Sequence, residues 1–254
     1  MEIVDAYAHC GLSKYEPIEK VREAMAAAGV SRAVLVQHLG EFDNSYIGSA
    51  VESDPQHLAG VLLADHCQPD VVGTLGKWHS TGHFQGIRLT SQAILESPDL
   101  LSTAANLGLI IVLYAPEGIR PIVKTLEKEL RLAPFTRLVV THLGNPSFEN
   151  GEIAESARDV FRLAKFANVF LQISGMAQFC PFPHDDLRPL IADAFTHFGP
   201  ARILWGSNFP VVGSKEDYAA DLHLLLDGKL PIPAAAIPKV AGENAQRLWF
   251  NRTV

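Results

Sequence analysis

Leu109-Ile110-Ile111-Val112-Leu113-Tyr114 is an unbroken apolar run closed by a phenol, and its surroundings decide how the chain is built. Gly108 stands directly before it, where a helix reading from Pro98 to Leu107 would stop. After it, Ile119–Leu132 carries apolar residues at helical spacing. A strand that is apolar at every position suits a parallel sheet covered on both faces; a strand with one wet face would alternate. Helix, strand and helix in that order form the repeating unit of an α/β fold.

The same unit recurs in both directions from this point. Candidate strands are Glu2–Ala8, Arg32–Gln37, Leu58–Ala64, Gly86–Leu89, Leu109–Tyr114, Arg137–Thr141, Val169–Ser174 and Arg202–Trp205. Helical stretches lie between them at Ile18–Ala28, Asn44–Ser53, Asp70–His79, Pro98–Leu107, Ile119–Leu132, Glu155–Phe166, Asp186–Phe198 and Lys215–Leu226. Eight strand–helix units in 254 residues match the size of a (β/α)8 TIM barrel. An open doubly wound sheet shows the same alternation and is the fold alternative; the count of eight favours the barrel. No Pro/Gly-rich linker divides the chain, so residues 1–254 read as one domain.

Bulk properties exclude several classes. With 48% apolar and 19% charged residues the chain has enough material for a large core. Its net charge of −7 speaks against nucleic-acid binding, which needs a basic face. No apolar run is long enough to span a membrane, and Glu2 and Asp5 spoil a secretion signal. Cys10, Cys67 and Cys180 make no disulfide framework, which points to a reducing cytoplasm. Neither a Gly-rich phosphate loop nor a G-x-S-x-G elbow is present. The expected partner is a small molecule, anionic if Arg88 lies in the site; a homo-oligomer stays open.

Barrels collect their chemistry at the C-terminal ends of the strands. Those positions hold His9, His38, His66 (or Asp65), Arg88, Tyr114, His142, Ser174 and Asn208. Tyr7 lies two residues before His9 and shares its face of the first strand. Several histidines converging on one mouth suggest a site, whereas a lone one is more often structural. A buried guanidinium at Arg88 needs an anion, either a substrate carboxylate or a salt bridge to Asp65 or Glu117.

Three segments carry a family resemblance. They are Ile3-Val4-Asp5-Ala6-Tyr7-Ala8-His9, Thr141-His142-Leu143-Gly144 and Trp205-Gly206-Ser207-Asn208-Phe209-Pro210. Gly86-Ile87-Arg88 and the closing Gly242–Leu248 stretch add to them, so nearly the whole chain resembles the amidohydrolase superfamily, in its small lactonase-like branch. The resemblance implies a TIM barrel and hydrolysis of a small cyclic ester, carboxylated or sugar-derived. Two positions depart from the pattern. Tyr7 replaces the first His of Asp-x-His-x-His, and Asn208 replaces a strand-eight Asp that activates water.

These departures shape the expected chemistry. A phenol with a pKa of about 10 is a poor zinc ligand, and an amide cannot act as a base. The catalytic residues expected are therefore His9 as general base, His142 polarising the carbonyl and Asn208 holding water. Tyr7, His38, His66, Arg88 and Tyr114 are expected to contact substrate, and no metal or other cofactor is required. Zinc through His9 and His142 is the alternative; it needs His38 or His66 to complete the set, or a rearranged site using Cys10 or Cys67. Alternative functions are a carboxy-lyase or isomerase, and a degenerate barrel that only binds a small ligand.

Overall fold

The computed structural model describes residues 1–251. Eight parallel strands follow one another around a single sheet: Val4–Ala8, Arg32–Val36, Leu58–Leu63, Phe84–Thr90, Ile110–Tyr114, Leu138–Val140, Val169–Ser174 and Ile203–Gly206. Each overlaps an expected strand, the fourth extending beyond its expected bounds at both ends. The sheet closes on itself where the chain's two ends meet. Ala8 bridges Phe209 in parallel, His9 N–H donates to Phe209 O at 2.7 Å, and Asn208 N–H donates to Tyr7 O at 2.8 Å. The expected (β/α)8 barrel is thus the observed fold.

Strand parity divides the core in two. Val4, Ala6, Val34, Val36, Val61, Val112, Val139 and Leu204 point inward and fill the barrel. Residues of the opposite parity, such as Leu35, Leu62, Ile111, Leu113 and Ile203, meet the surrounding helices. This double burial is why Ile110–Tyr114 carries no alternation.

The helices are α1 (Ile18–Ala28), α2 (Ser45–Ser53), α3 (Val71–Ser80), α4 (Ser91–Glu96), α5 (Pro98–Asn106), α6 (Val123–Leu132), α7 (Arg188–Phe198) and α8 (Lys215–Leu226). Ser214 starts α8 with a reciprocal capping box to Asp217. Helix α4 was not expected; Ser97-Pro98 separates it from α5, and Thr90 caps it through Ala93 N–H. Glu155–Lys165, expected as an α-helix, winds in 3₁₀ turns. A short hairpin pairs Phe148–Glu149 with Glu152–Ile153. The closing segment, Lys239–Glu243 and Gln246–Phe250, has wide π-type turns.

One buried carboxylate joins the barrel's first and last strands. Asp5 accepts Ser207 N–H at 2.8 Å, Ser207 Oγ–H at 2.6 Å and Tyr7 N–H at 3.1 Å. Burial raises its pKa to about 6 against the pull of those hydrogen bonds. The tie holds Tyr7 and Asn208 at one level of the barrel.

Candidate active site

A cavity of about 150 Å³ opens at the C-terminal mouth, lined by His9, Lys14, Tyr15, Leu39, Arg88, Tyr114, His142, Gln178, Asn208 and Val211. Two larger hollows, about 380 and 560 Å³, lie at the opposite end against Trp249 and gather no comparable catalytic set. Five of the residues expected from sequence meet in the mouth: His9, Arg88, Tyr114, His142 and Asn208.

His9 is buried, and its Nδ1 lies 2.6 Å from Val36 O. A carbonyl only accepts, so Nδ1 carries the proton and the Nε2 lone pair is left for the cavity. Tyr15 stacks on the imidazole, with ring centroids 4.9 Å apart and planes 12° from parallel. Burial holds the His9 pKa well below the ordinary histidine value, and the charge of Arg88 lowers it further.

His142 sits at φ 52 in a left-handed turn that continues through Leu143 and Asn145. Such a conformation is sparsely populated by side-chain-bearing residues and persists where neighbours over-determine it. Here Thr141 Oγ1–H donates to Leu113 O at 2.8 Å, and His142 N–H donates to Ser174 Oγ at 3.2 Å. The His142 ring meets the same hydroxyl, Nδ1 lying 2.8 Å from Ser174 Oγ. Ser174 also reaches Gln172 Oε1, at the longer distance of 3.2 Å. Burial, with Arg88 second, pushes the His142 pKa down to about 3.

Arg88 is the cation at the centre. Its side chain is buried, Nη1 donates to Gln37 O at 3.0 Å, and the guanidinium lies 4.8 Å above the Tyr114 ring. Nε has no hydrogen-bond partner among the described residues. The carboxylates suggested for it are occupied elsewhere: Asp65 accepts Cys67 N–H, and Glu117 accepts Ser91 Oγ–H. Among the described residues no acidic side chain lines the cavity, while Lys14 adds a second cation at its rim. The charged groups of the lining are therefore cationic.

Asn208 is buried in the left-handed region at φ 59, which asparagine tolerates better than most residues. Its backbone is fixed by Tyr7 O, and its amide faces the cavity. Tyr7 lies just below. Its ring meets His9 and His142 edge-on, at 5.0 and 4.9 Å. The hydroxyl is buried without a partner among the described residues, and burial pushes the phenol up to about 12.

The remaining expectations are corrected by geometry. His66 does not enter the cavity; its Nε2 lies 3.3 Å from Glu96 Oε2 on the outer side of the mouth. The third strand ends at Leu63, so strand parity no longer aims a side chain three residues later. His38 lines a neighbouring cavity and touches the site through Tyr15, edge-on at 5.2 Å. Lys14 and Tyr15 were missed because they sit in the irregular loop after the first strand, and Gln178 because it sits in a three-residue 3₁₀ turn.

Gly175 brings the cluster together. At φ +61 it occupies a left-handed position, and an added Cβ would collide with Gln178 Nε2. That Cβ would also lie 2.9 Å from His142 Nδ1 and 3.0 Å from Asn208 Nδ2. Gly175→Ala is expected to leave a folded barrel by circular dichroism yet cut kcat/KM about 100-fold, the scale of a 1 Å misplacement. Unchanged turnover would mean that His142 and Asn208 need no such placement.

Comparison with known proteins identifies the family and agrees with the fold. The amidohydrolase family model matches residues 3–250. The chain belongs to the amidohydrolase family. An L-fucono-1,5-lactonase from Burkholderia ambifaria is 26% identical to this amidohydrolase over 208 residues, covering 77% of the chain and 71% of the relative. Among solved structures, a Pseudomonas putida protein assigned as a 2-pyrone-4,6-dicarboxylic acid hydrolase superposes with a TM-score of 0.76, at 21% identity over 97% of both chains. A Burkholderia multivorans amidohydrolase solved with zinc gives 0.76 at 18% identity, covering 98% of this chain and 99% of that one. These likenesses extend the barrel to nearly the full length of the amidohydrolase described here.

Proposed function

We propose that the protein hydrolyses a small cyclic ester, carboxylated or sugar-derived, with its own side chains and no metal in the catalytic pocket. The observation that carries this reading is the fixed tautomer of His9. With Nδ1–H committed to Val36 O, a neutral Nε2 lone pair faces a pocket that holds a buried guanidinium with no carboxylate partner among the described residues. The match to a lactonase supports the substrate class.

The donor set argues against a catalytic zinc. Such an ion takes three protein ligands, and the pocket offers two imidazoles, His9 and His142. The third place holds the Tyr7 phenol, whose raised pKa opposes the phenolate a metal would need. Asn208 supplies no negative charge, and the nearby Arg88 guanidinium repels a cation.

In the proposed reaction His9 Nε2 takes a proton from a water held by the Asn208 amide. The hydroxide oxygen bonds to the lactone carbonyl carbon. Ser174 Oγ–H, which donates to Gln172 Oε1 in the structure, swings in the proposed reaction to His142 Nδ1, 2.8 Å from Oγ, so that His142 Nε2–H donates to the carbonyl oxygen. Arg88 stabilises the negative charge that develops there. The ring C–O bond then breaks, the leaving oxygen takes the proton from His9, and a hydroxy acid departs. Arg88 lowers the His9 pKa, so an anion bound beside Arg88 raises the basicity of His9. Substrate binding and base strength are coupled in this way.

A panel of carboxylated and neutral five- and six-membered lactones, followed by acid release in the presence of a chelator, tests the reading. Chelator-insensitive turnover of at least one lactone is the expected result. Tight binding without turnover would favour the ligand-binding barrel, and turnover abolished by the chelator would sink the metal-free mechanism.

A further inference from the structure

His66, which turns away from the catalytic pocket, belongs to a different constellation. It sits between Asp65 and Cys67 in the turn after the third strand, and one ligand atom from each of the three side chains lies within 4.8 Å of the others. We propose that Asp65, His66 and Cys67 form a binding site for a zinc-class divalent ion on the outer rim of the barrel mouth, separate from the catalytic pocket.

The turn is held in the shape such a site needs. Gln68 N–H donates to Asp65 O at 3.1 Å. Cys67 N–H donates to Asp65 Oδ1 at 3.0 Å, which leaves Oδ2 free. Ser97 Oγ–H donates to His66 O at 3.0 Å, pinning the turn to the α4–α5 junction. The Glu96 carboxylate, 3.3 Å from His66 Nε2, adds charge of the sign that a cation attracts. That nitrogen is shielded from solvent and makes no directional hydrogen bond. Cys67 is exposed, so its side chain can rotate to close the donor set.

The chemistry of the donors selects the ion. Magnesium and calcium take oxygen ligands throughout. A thiolate, an imidazole and a carboxylate together suit zinc and its borderline neighbours, at bond lengths of about 2.0–2.3 Å. None of the three residues lines the catalytic cavity. The ion therefore takes no part in hydrolysis; it clamps the third-strand turn against the end of α4. It also changes how bulk metal content should be read, because zinc in the purified protein would not locate itself in the catalytic pocket.

Cobalt(II), added to the metal-stripped full chain, tests this directly. Cys10 and Cys180 are buried in the core, so a thiolate-to-cobalt charge-transfer band reports on Cys67. One equivalent of cobalt is expected to saturate the band. Cys67→Ser should abolish it, His66→Ala should weaken binding at least ~10-fold, and His9→Ala should leave it unchanged. Absence of the band, its survival in Cys67→Ser, or its loss in His9→Ala would each overturn the proposal. The result is independent of the lactone panel: a Cys67-dependent band in a protein that turns over no lactone counts against the hydrolase reading alone.

Discussion

His9→Ala should lower kcat for lactone opening about 1,000-fold, within the range for losing a general base, while KM changes little. Of the groups lining the cavity, His9 is the one whose tautomer is dictated by an acceptor that cannot donate, so its Nε2 is available as a base whatever the neighbours do. Asn208 cannot take over, because an amide does not accept a proton at neutral pH. The pH profile gives an independent readout. Burial and Arg88 hold the His9 pKa well below 6.5, so the base form persists as pH falls through the ordinary histidine range. The kcat/KM profile should therefore show no acid limb between about pH 6 and 8, where an unperturbed histidine would give one. Bound anion offsets Arg88, so the acid limb of kcat should lie above that of kcat/KM. A variant retaining more than a tenth of wild-type kcat would remove His9 from the mechanism.

Gly242→Ala should be the most destabilising single methyl added to the molecule. Gly242 lies in the closing segment where it crosses the start of the first strand, and an added Cβ would collide with the Glu2 carbonyl oxygen. Its next neighbours, Glu2 C at 3.0 Å and Ile3 Cα at 3.4 Å, are also backbone, so no side chain can swing aside. In an ordinary helical site the same change would stabilise by about 0.4–1 kcal/mol through the unfolded chain. Here the collision decides the sign. A loss of about 3 kcal/mol or more is expected, which for a chain of this size lowers Tm by roughly 6–12 °C. A thermal melt measures it, and an unchanged Tm would mean that the closing segment can shift without cost.

The barrel was legible because its strands are buried twice. Ile110–Tyr114 meets the interior on one face and helices on the other, so its apolar run is continuous and its helical neighbours are marked by Gly108 and Pro98. Helix α4 was hidden because six residues before Ser97-Pro98 give no full period to recognise. At the site, His9 and Arg88 could be placed because one directly follows a strand and the other lies within one, so that parity aims them, while Asn208 was placed by the motif around it. His66 and His38 lie beyond the last paired residue, where a turn redirects the side chain and parity is lost. Tyr15 was invisible for the same reason: its stacking on His9 is set by the shape of a loop, which carries no periodic signal.

The Asp5–Ser207 tie has a consequence for how the protein comes into being. Its two partners are 202 positions apart, and the hydrogen bonds between Tyr7 and Asn208 and between His9 and Phe209 span 201 and 200 positions. A chain emerging from the ribosome holds His9 before the eighth strand is made, and the first strand has nothing to close against until that strand arrives. Such distant pairings are the slow step of folding, since a long loop must be ordered before they form. The pocket is thus complete only once the eighth strand has paired with the first.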